Sequence, residues 1–145
     1  MSTLIIEKAK LKNLKDLIYL LFDDDLGKDR ENISETSFNN YKKSFMKILN
    51  DTNNEIFIMV LNDLVIGMMQ LTFIPGLSME GMTRCQIESV RIKKDYRNKG
   101  YGSELMKKGI EIAKLNKCGL IQLTSNKERL KAVSYTHLTL PTMMS

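Results

Sequence analysis

The chain has 145 residues, one domain's worth, and its 43% hydrophobic and 27% charged content is that of a globular protein able to bury a core, which excludes disorder as the default. Two cysteines outside any CxxC pair (Cys85, Cys118) and one histidine (His137) are too few ligands for a structural zinc site, and no apolar run approaches the ~20 residues that span a bilayer. The net charge of +5 is unevenly placed, −2 over residues 1–72 and +7 over 73–145, so an anionic partner is expected to meet the second half, although most single lysines belong to a solvated face.

Leu4–Lys8 reads as a first strand. Asn13 can cap a helix in which Leu14, Leu17, Ile18 and Leu21 recur at helical spacing, and the acidic loop Asp23-Asp24-Asp25-Leu26-Gly27 ends it. A second helix starts near Ser34 and carries Phe38, Tyr41, Phe45 and Ile48 on one face. Glu55–Leu61 and Leu64–Ile74 are rich in apolar and β-branched residues, and the short Asn62-Asp63 link predicts an antiparallel hairpin. A loop with Pro75, Gly76 and Gly81 precedes a strand from about Arg84 to Ile92. Ser103–Asn116 reads as a helix with Leu105, Met106, Ile110 and Ala113 on one side, and Cys118–Thr124 as another strand. The order β-α-α-β-β-β-α-β is that of a mixed α/β layer domain, without the alternation of a doubly wound sheet.

Residues 134–145 depart from this pattern, with no charged residue, the sole histidine and one of the two prolines. They read as foreign sequence from an adapter or vector junction, against the competing reading of an authentic frayed terminus. The expected division is a domain over 1–133 and a non-native tail over 134–145. The opening segment Met1–Lys8 lacks the basic start and long apolar stretch of a secretion signal, and a reducing, cytoplasmic setting is the expectation.

The stretch that carries chemistry is Gln86–Ser103: a strand, a basic turn, then a glycine-rich start to a helix. The first amides of a helix lack internal acceptors and carry the positive end of its dipole. Gly100 and Gly102 remove side chains that would keep a phosphate from those amides, and Arg97 and Lys99 add charge, which together make a diphosphate cradle. Spacing narrows the choice. A Walker loop needs Lys-Ser or Lys-Thr after its last glycine, where Ser103 and Glu104 stand here; a dinucleotide fingerprint needs a third glycine where Leu105 stands. What remains, Arg97-x-x-Gly100-x-Gly102 behind a strand that ends at Ile92, resembles the acetyl-coenzyme A motif of the GNAT family of N-acetyltransferases.

The resemblance runs from about Leu4 to Lys131 and includes Gly67 after Val65-Ile66 in the hairpin. It implies a mixed, mostly antiparallel sheet flanked by helices, with acetyl-coenzyme A as cosubstrate, no metal, and a small-molecule or protein amine as acceptor. Nucleic acid and membrane are not expected as partners; a homodimer is allowed. By the same resemblance Val90 and Ile92 offer backbone groups to the pantetheine arm as if it were an added strand, in a gap between the fourth and fifth strands. Arg91 lies between them. The amides of Asn98, Lys99, Gly100, Tyr101, Gly102 and Ser103 hold the pyrophosphate, and Lys93, Lys94, Arg97 and Lys99 favour the phosphorylated nucleotide end.

Direct transfer needs a base, because an alkylammonium with a pKa near ~10.4 must lose a proton before it attacks. Glu88, four residues before Ile92, is the candidate; ordering the strand or pairing with Arg84 or Arg91 is the alternative. The Val90 amide is the expected oxyanion donor. The family's general acid, a tyrosine on the helix after the fifth strand, has no counterpart in Asn126–Ala132, and Tyr135 falls in the suspect tail. The family's last helix and last two strands are therefore expected to be missing, which leaves an acetyl-coenzyme A-binding module with little or no turnover as the competing function. A basic nucleic-acid binder fits less well, since aromatics are only 7%.

Three features are set aside. Cys118 has no histidine to activate it as an acyl carrier. Met68 and Met69 read as core, Met79 and Met82 as candidate pocket walls. The Asp23–Asp25 loop reads as solvated rather than as a lure for a cationic acceptor.

Overall fold

The computed structural model describes residues 2–23 and 34–123. Five strands form one sheet in the order β1-β2-β3-β4-β5: β1 (Leu4–Lys8), β2 (Asn54–Leu61), β3 (Leu64–Pro75), β4 (Thr83–Ile92) and β5 (Leu120–Leu123). Neighbours are antiparallel except β4 and β5, which run parallel. This is the mixed, mostly antiparallel sheet expected from the sequence. The helices are α1 (Leu14–Phe22), α2 (Glu35–Leu49) and α3 (Tyr101–Leu115).

The β2–β3 hairpin closes on Asn62 (φ 48°) and Asp63 (φ 69°), the two positive φ values that a tight two-residue turn matched to strand twist requires. Period-two alternation then divides the side chains. Phe57 and Met59 of β2, Met69, Leu71 and Phe73 of β3, and Cys85 and Ile87 of β4 are buried against Leu105, Met106, Ile110 and Ala113 of α3. The opposite face sets Ile58 and Met68 against Leu14, Leu17, Ile18 and Leu20 of α1 and Phe45 of α2. Met68 and Met69 are thus core on opposite faces. Met79 is exposed and Met82 half-buried in the β3–β4 loop.

The helices begin and end on local chemistry. Ser34 caps α2 by accepting the Ser37 N–H at 3.3 Å. Asn13 precedes α1 as expected but does not cap it: its buried carboxamide oxygen accepts the Lys10 N–H at 2.8 Å, closing a short 3-10 turn, Leu11–Asn13, that leads into the helix. Helix α3 starts two residues before the expected Ser103, because Gly100 can supply a left-handed residue ahead of it. Its far end closes as a Schellman motif, with Cys118 N–H on Ala113 O and Lys117 N–H on Lys114 O. That turn takes Cys118 out of the following strand, so β5 starts at Leu120 rather than Cys118.

Two bulges interrupt the ladders. Between β2 and β3, Met59 pairs with Gly67 and Val60 with Val65, leaving Ile66 as the extra residue. Between β3 and β4, Met68 pairs with Arg91 and Gln70 with Glu88, so Ser89 and Val90 together face the single Met69. No helix among the described residues is long and apolar enough to cross a membrane. The suspect tail and the expected tyrosine region lie outside the described residues.

Lys117 occupies the left-handed position of the Schellman turn at φ 58°, where a β-carbon is crowded. Lys117→Gly is expected to stabilise the fold by about 1 kcal/mol and to raise the melting temperature by about 2–4 °C in calorimetry.

Candidate functional site

The site is built where β4 ends and α3 begins. The Lys93 N–H donates to Ile66 O at 2.7 Å, so the bulge residue of β3 fastens the end of β4. Beneath it, Gly67 lies opposite Ile92 in the ladder; a β-carbon at Gly67 would stand 2.8 Å from Ile92 Cδ1, and only glycine admits that approach. Ile92 in turn reaches toward Gly102 at the first turn of α3. One side chain therefore spaces the sheet from the helix start.

The chain then makes a short 3-10 turn, Lys94–Tyr96, and doubles back through Asn98 (φ 62°) and Gly100 (φ 88°) into α3. Gly100 stands at the N-cap without a side-chain cap, and the first intrahelical bond of this turn runs from Glu104 N–H to Gly100 O at 3.1 Å. The N–H groups of Tyr101, Gly102 and Ser103 consequently have no acceptor within the helix. A β-carbon at Gly100 would meet nothing within 4 Å. This is a row of backbone donors in a basic segment, with open space beside Gly100. The Tyr96 and Tyr101 rings, 6.3 Å apart and tilted, pack against the core on either side of the turn, and Lys99 Nζ lies 5.9 Å from the Tyr96 ring centre.

Arg97, expected as a cradle cation, is also hydrogen-bonded within the fold. Its Nε donates to Ile92 O at 2.9 Å and its Nη2 to Asp23 O at 2.6 Å. Asp23 also accepts the Lys94 N–H at 3.3 Å. The arginine braces the turn against the end of α1, and Asp23, read from the sequence as solvated, is half-buried and serves as the anchor. Nothing in the local sequence pairs positions 23 and 97; only the fold brings them together.

The backbone of β4 departs from a regular strand near its end. Ser89 adopts φ 53°, and neither Ser89 nor Val90 has a register partner on β3. On its other side β4 pairs with β5 only from Arg84 to Ile87; beyond that it has no β5 partner among the described residues. The described part of β5 therefore flanks β4 only as far as Ile87. Val90 and Ile92 pack their side chains against the α3 core, while Arg91 is buried on the other face, its Nη1 donating to Val90 O at 3.1 Å. The bulge was not legible in the sequence, since a serine flanked by strand formers carries no signal for it.

Glu88 is half-buried on the α1/α2 face, opposite Gln70 in the ladder, and its Oε1 accepts from Gln86 Nε2 at 3.0 Å. The two cysteines meet across β4 and the turn after α3. Burial, then the neighbouring Cys118 thiol, pushes Cys85 up to about 12, and burial also raises Cys118. Both shifts favour the protonated thiol, in keeping with the setting aside of Cys118.

Comparison with known proteins follows the same line. Residues 14–137 match the model of the Acetyltransferase (GNAT) family. A transcriptional regulator from Bacillus halodurans C-125 is 35% identical with a TM-score of 0.88, over 99% of this chain and 96% of that one. Glucosamine-6-phosphate N-acetyltransferase from Arabidopsis thaliana shares the fold at a TM-score of 0.76 and 14% identity, over 99% and 96% of the two chains. So does a predicted acetyltransferase with acetyl-CoA from Clostridium acetobutylicum, at 0.73 and 15%, over 92% and 88%. No curated protein matches the chain in sequence.

The brace makes a prediction that a phosphate-binding arginine would not. Arg97→Met should lower the ligand-free protein's stability by about 1.5–3 kcal/mol, read from urea unfolding, because two carbonyls lose a charged donor. Unchanged stability would leave Arg97 free for a ligand.

Proposed function

The chain belongs to the acetyltransferase (GNAT) family, and on that premise we propose that it moves an acetyl group from acetyl-coenzyme A to a primary amine by direct attack. The observation that carries this reading is the glycine-capped start of α3, three donors wide and with open space beside Gly100, which follows the bulged end of β4. A diphosphate suits such a terminus through both its oxygens and its charge. The amides from Asn98 to Ser103 would take the pyrophosphate. Lys93, Lys94, Arg97 and Lys99 would favour the phosphorylated nucleotide end, and the backbone of Val90 and Ile92 would accept the pantetheine amides as a neighbouring strand.

In this reading Glu88 takes the proton from the acceptor ammonium, directly or through a water. The freed nitrogen lone pair attacks the thioester carbonyl carbon. The Val90 N–H, at the bulge, meets the oxyanion, a contact worth about 2.7–4 kcal/mol in comparable sites. The carbon–sulfur bond then breaks, giving an acetamide and the thiol once the departing sulfur is protonated. Water supplies that proton in this reading. One structural neighbour suggests an acceptor to supply, an amino sugar phosphate, from the Arabidopsis enzyme's name.

Calorimetric titration with acetyl-coenzyme A, followed by thiol release over a panel of glucosamine 6-phosphate, an aminoglycoside, a polyamine and a lysine peptide, tests the proposal. Saturable binding that Gly100→Val removes, and turnover that Glu88→Gln lowers by about 10²-fold or more with affinity retained, are expected. Binding without turnover on any amine would favour the module; no binding, with salt-sensitive DNA association, would favour the nucleic-acid reading.

A further inference from the structure

Resting on the reading of Glu88 as proton acceptor, we infer that Arg84, Gln122 and Gln86 form a one-way hydrogen-bond chain that orients the Glu88 carboxylate, with Gln86 and Gln122 as positioning residues. Arg84 Nη1 donates to Gln122 Oε1 at 3.0 Å, Gln122 Nε2 to Gln86 Oε1 at 3.3 Å, and Gln86 Nε2 to Glu88 Oε1 at 3.0 Å. The register makes this possible. Arg84, Gln86 and Glu88 alternate along one face of β4, and Gln86 stands directly beside Gln122 in the parallel β4–β5 ladder.

The direction of the chain follows from its two ends. A guanidinium only donates, and an ionised carboxylate only accepts, whereas a carboxamide has one end of each kind and can turn over by half a rotation. Between a donor-only and an acceptor-only terminus, two carboxamides have a single arrangement in which all three contacts are hydrogen bonds. Arg84 therefore dictates, through Gln122, that Gln86 shows Glu88 its NH2 and not its oxygen. Turned the other way, Gln86 would set a carbonyl against the carboxylate and push it from its place.

The chain crosses from β5 to β4 at a paired position, Gln122 beside Gln86, and ends at Glu88. Only Oε1 is used, which leaves Oε2 outside the chain on a carboxylate whose rotation is held. Gln122 is exposed, so the orienting information comes from a residue remote from the reacting atoms.

Three variants and a double-mutant cycle test this. Gln122→Leu and Arg84→Met should each lower kcat roughly five- to tenfold with KM for acetyl-coenzyme A and the melting temperature unchanged, while Arg84→Lys, still a donor-only terminus, keeps most of the rate. In a Glu88→Gln background, where the acceptor-only terminus is gone, Gln122→Leu should cost nothing further. Nitrogen-resolved NMR gives a readout free of turnover: the Gln86 side-chain amide signals should move in Gln122→Leu and Arg84→Met and hold in Arg84→Lys. Wild-type kcat in Gln122→Leu, an equal loss in both backgrounds, or Gln86 signals indifferent to Arg84 would overturn the chain. If Glu88→Gln itself leaves turnover unchanged, the base reading falls instead, and the NMR comparison still decides whether Arg84 orients Gln86.

Discussion

Everything at the candidate site depends on how the polypeptide is held as it leaves β4. The Lys93 N–H reaches back to Ile66 on β3, and the Arg97 guanidinium joins Ile92 O to Asp23 O at the end of α1. These bonds pull from different elements, so the turn between them cannot slide along the sheet. With the turn fixed, the left-handed Gly100 delivers α3 at one place, with its first amides facing outward. A charged donor on buried or half-buried carbonyls is among the stronger single contacts a fold can make. Here two of its donors support a backbone feature.

The second constraint is the close approach of Ile92 to Gly67. Because β3 offers no β-carbon there, Ile92 settles against the sheet and spaces it from the first turn of α3. A bulge on each side of β3 accompanies this fit, one at Ile66 and one opposite Met69. The second turns Val90 out of register and leaves the face with Glu88 polar while the other face stays apolar. Polar and apolar chemistry are separated across the thickness of one strand. Met69 below and Gln86–Glu88 above lie on opposite sides of it.

Much of the site could be read in advance. Arg97-x-x-Gly100-x-Gly102 behind Ile92 identified the helix start, since few residue patterns put two glycines and several cations where a helix must begin. The roles within it were less legible. Arg97 counts as one more positive charge in a sequence, and its donation to Asp23 depends on where α1 ends, 74 residues earlier. The Ser89 bulge depends on register against β3, and the Gln122–Gln86 contact on β5 coming to lie beside β4; no local pattern encodes either. Asn13 shows the same limit at small scale, its carboxamide turned back to Lys10 rather than forward into α1.

By itself the sequence determined which segments are strands and helices, which faces are apolar, the tight hairpin at Asn62-Asp63, and the family to which the glycine motif belongs. These are consequences of periodicity and of local backbone preference, which operate over a few residues. Tertiary structure alone decided what Arg97 holds, where β4 leaves its ladder, how β5 meets Gln86, and that Cys85 and Cys118 share one buried corner. Each of those outcomes is a contact between distant parts of the chain. Its energy exists only once the two cores, one on each face of the sheet, have brought the strands and helices into register.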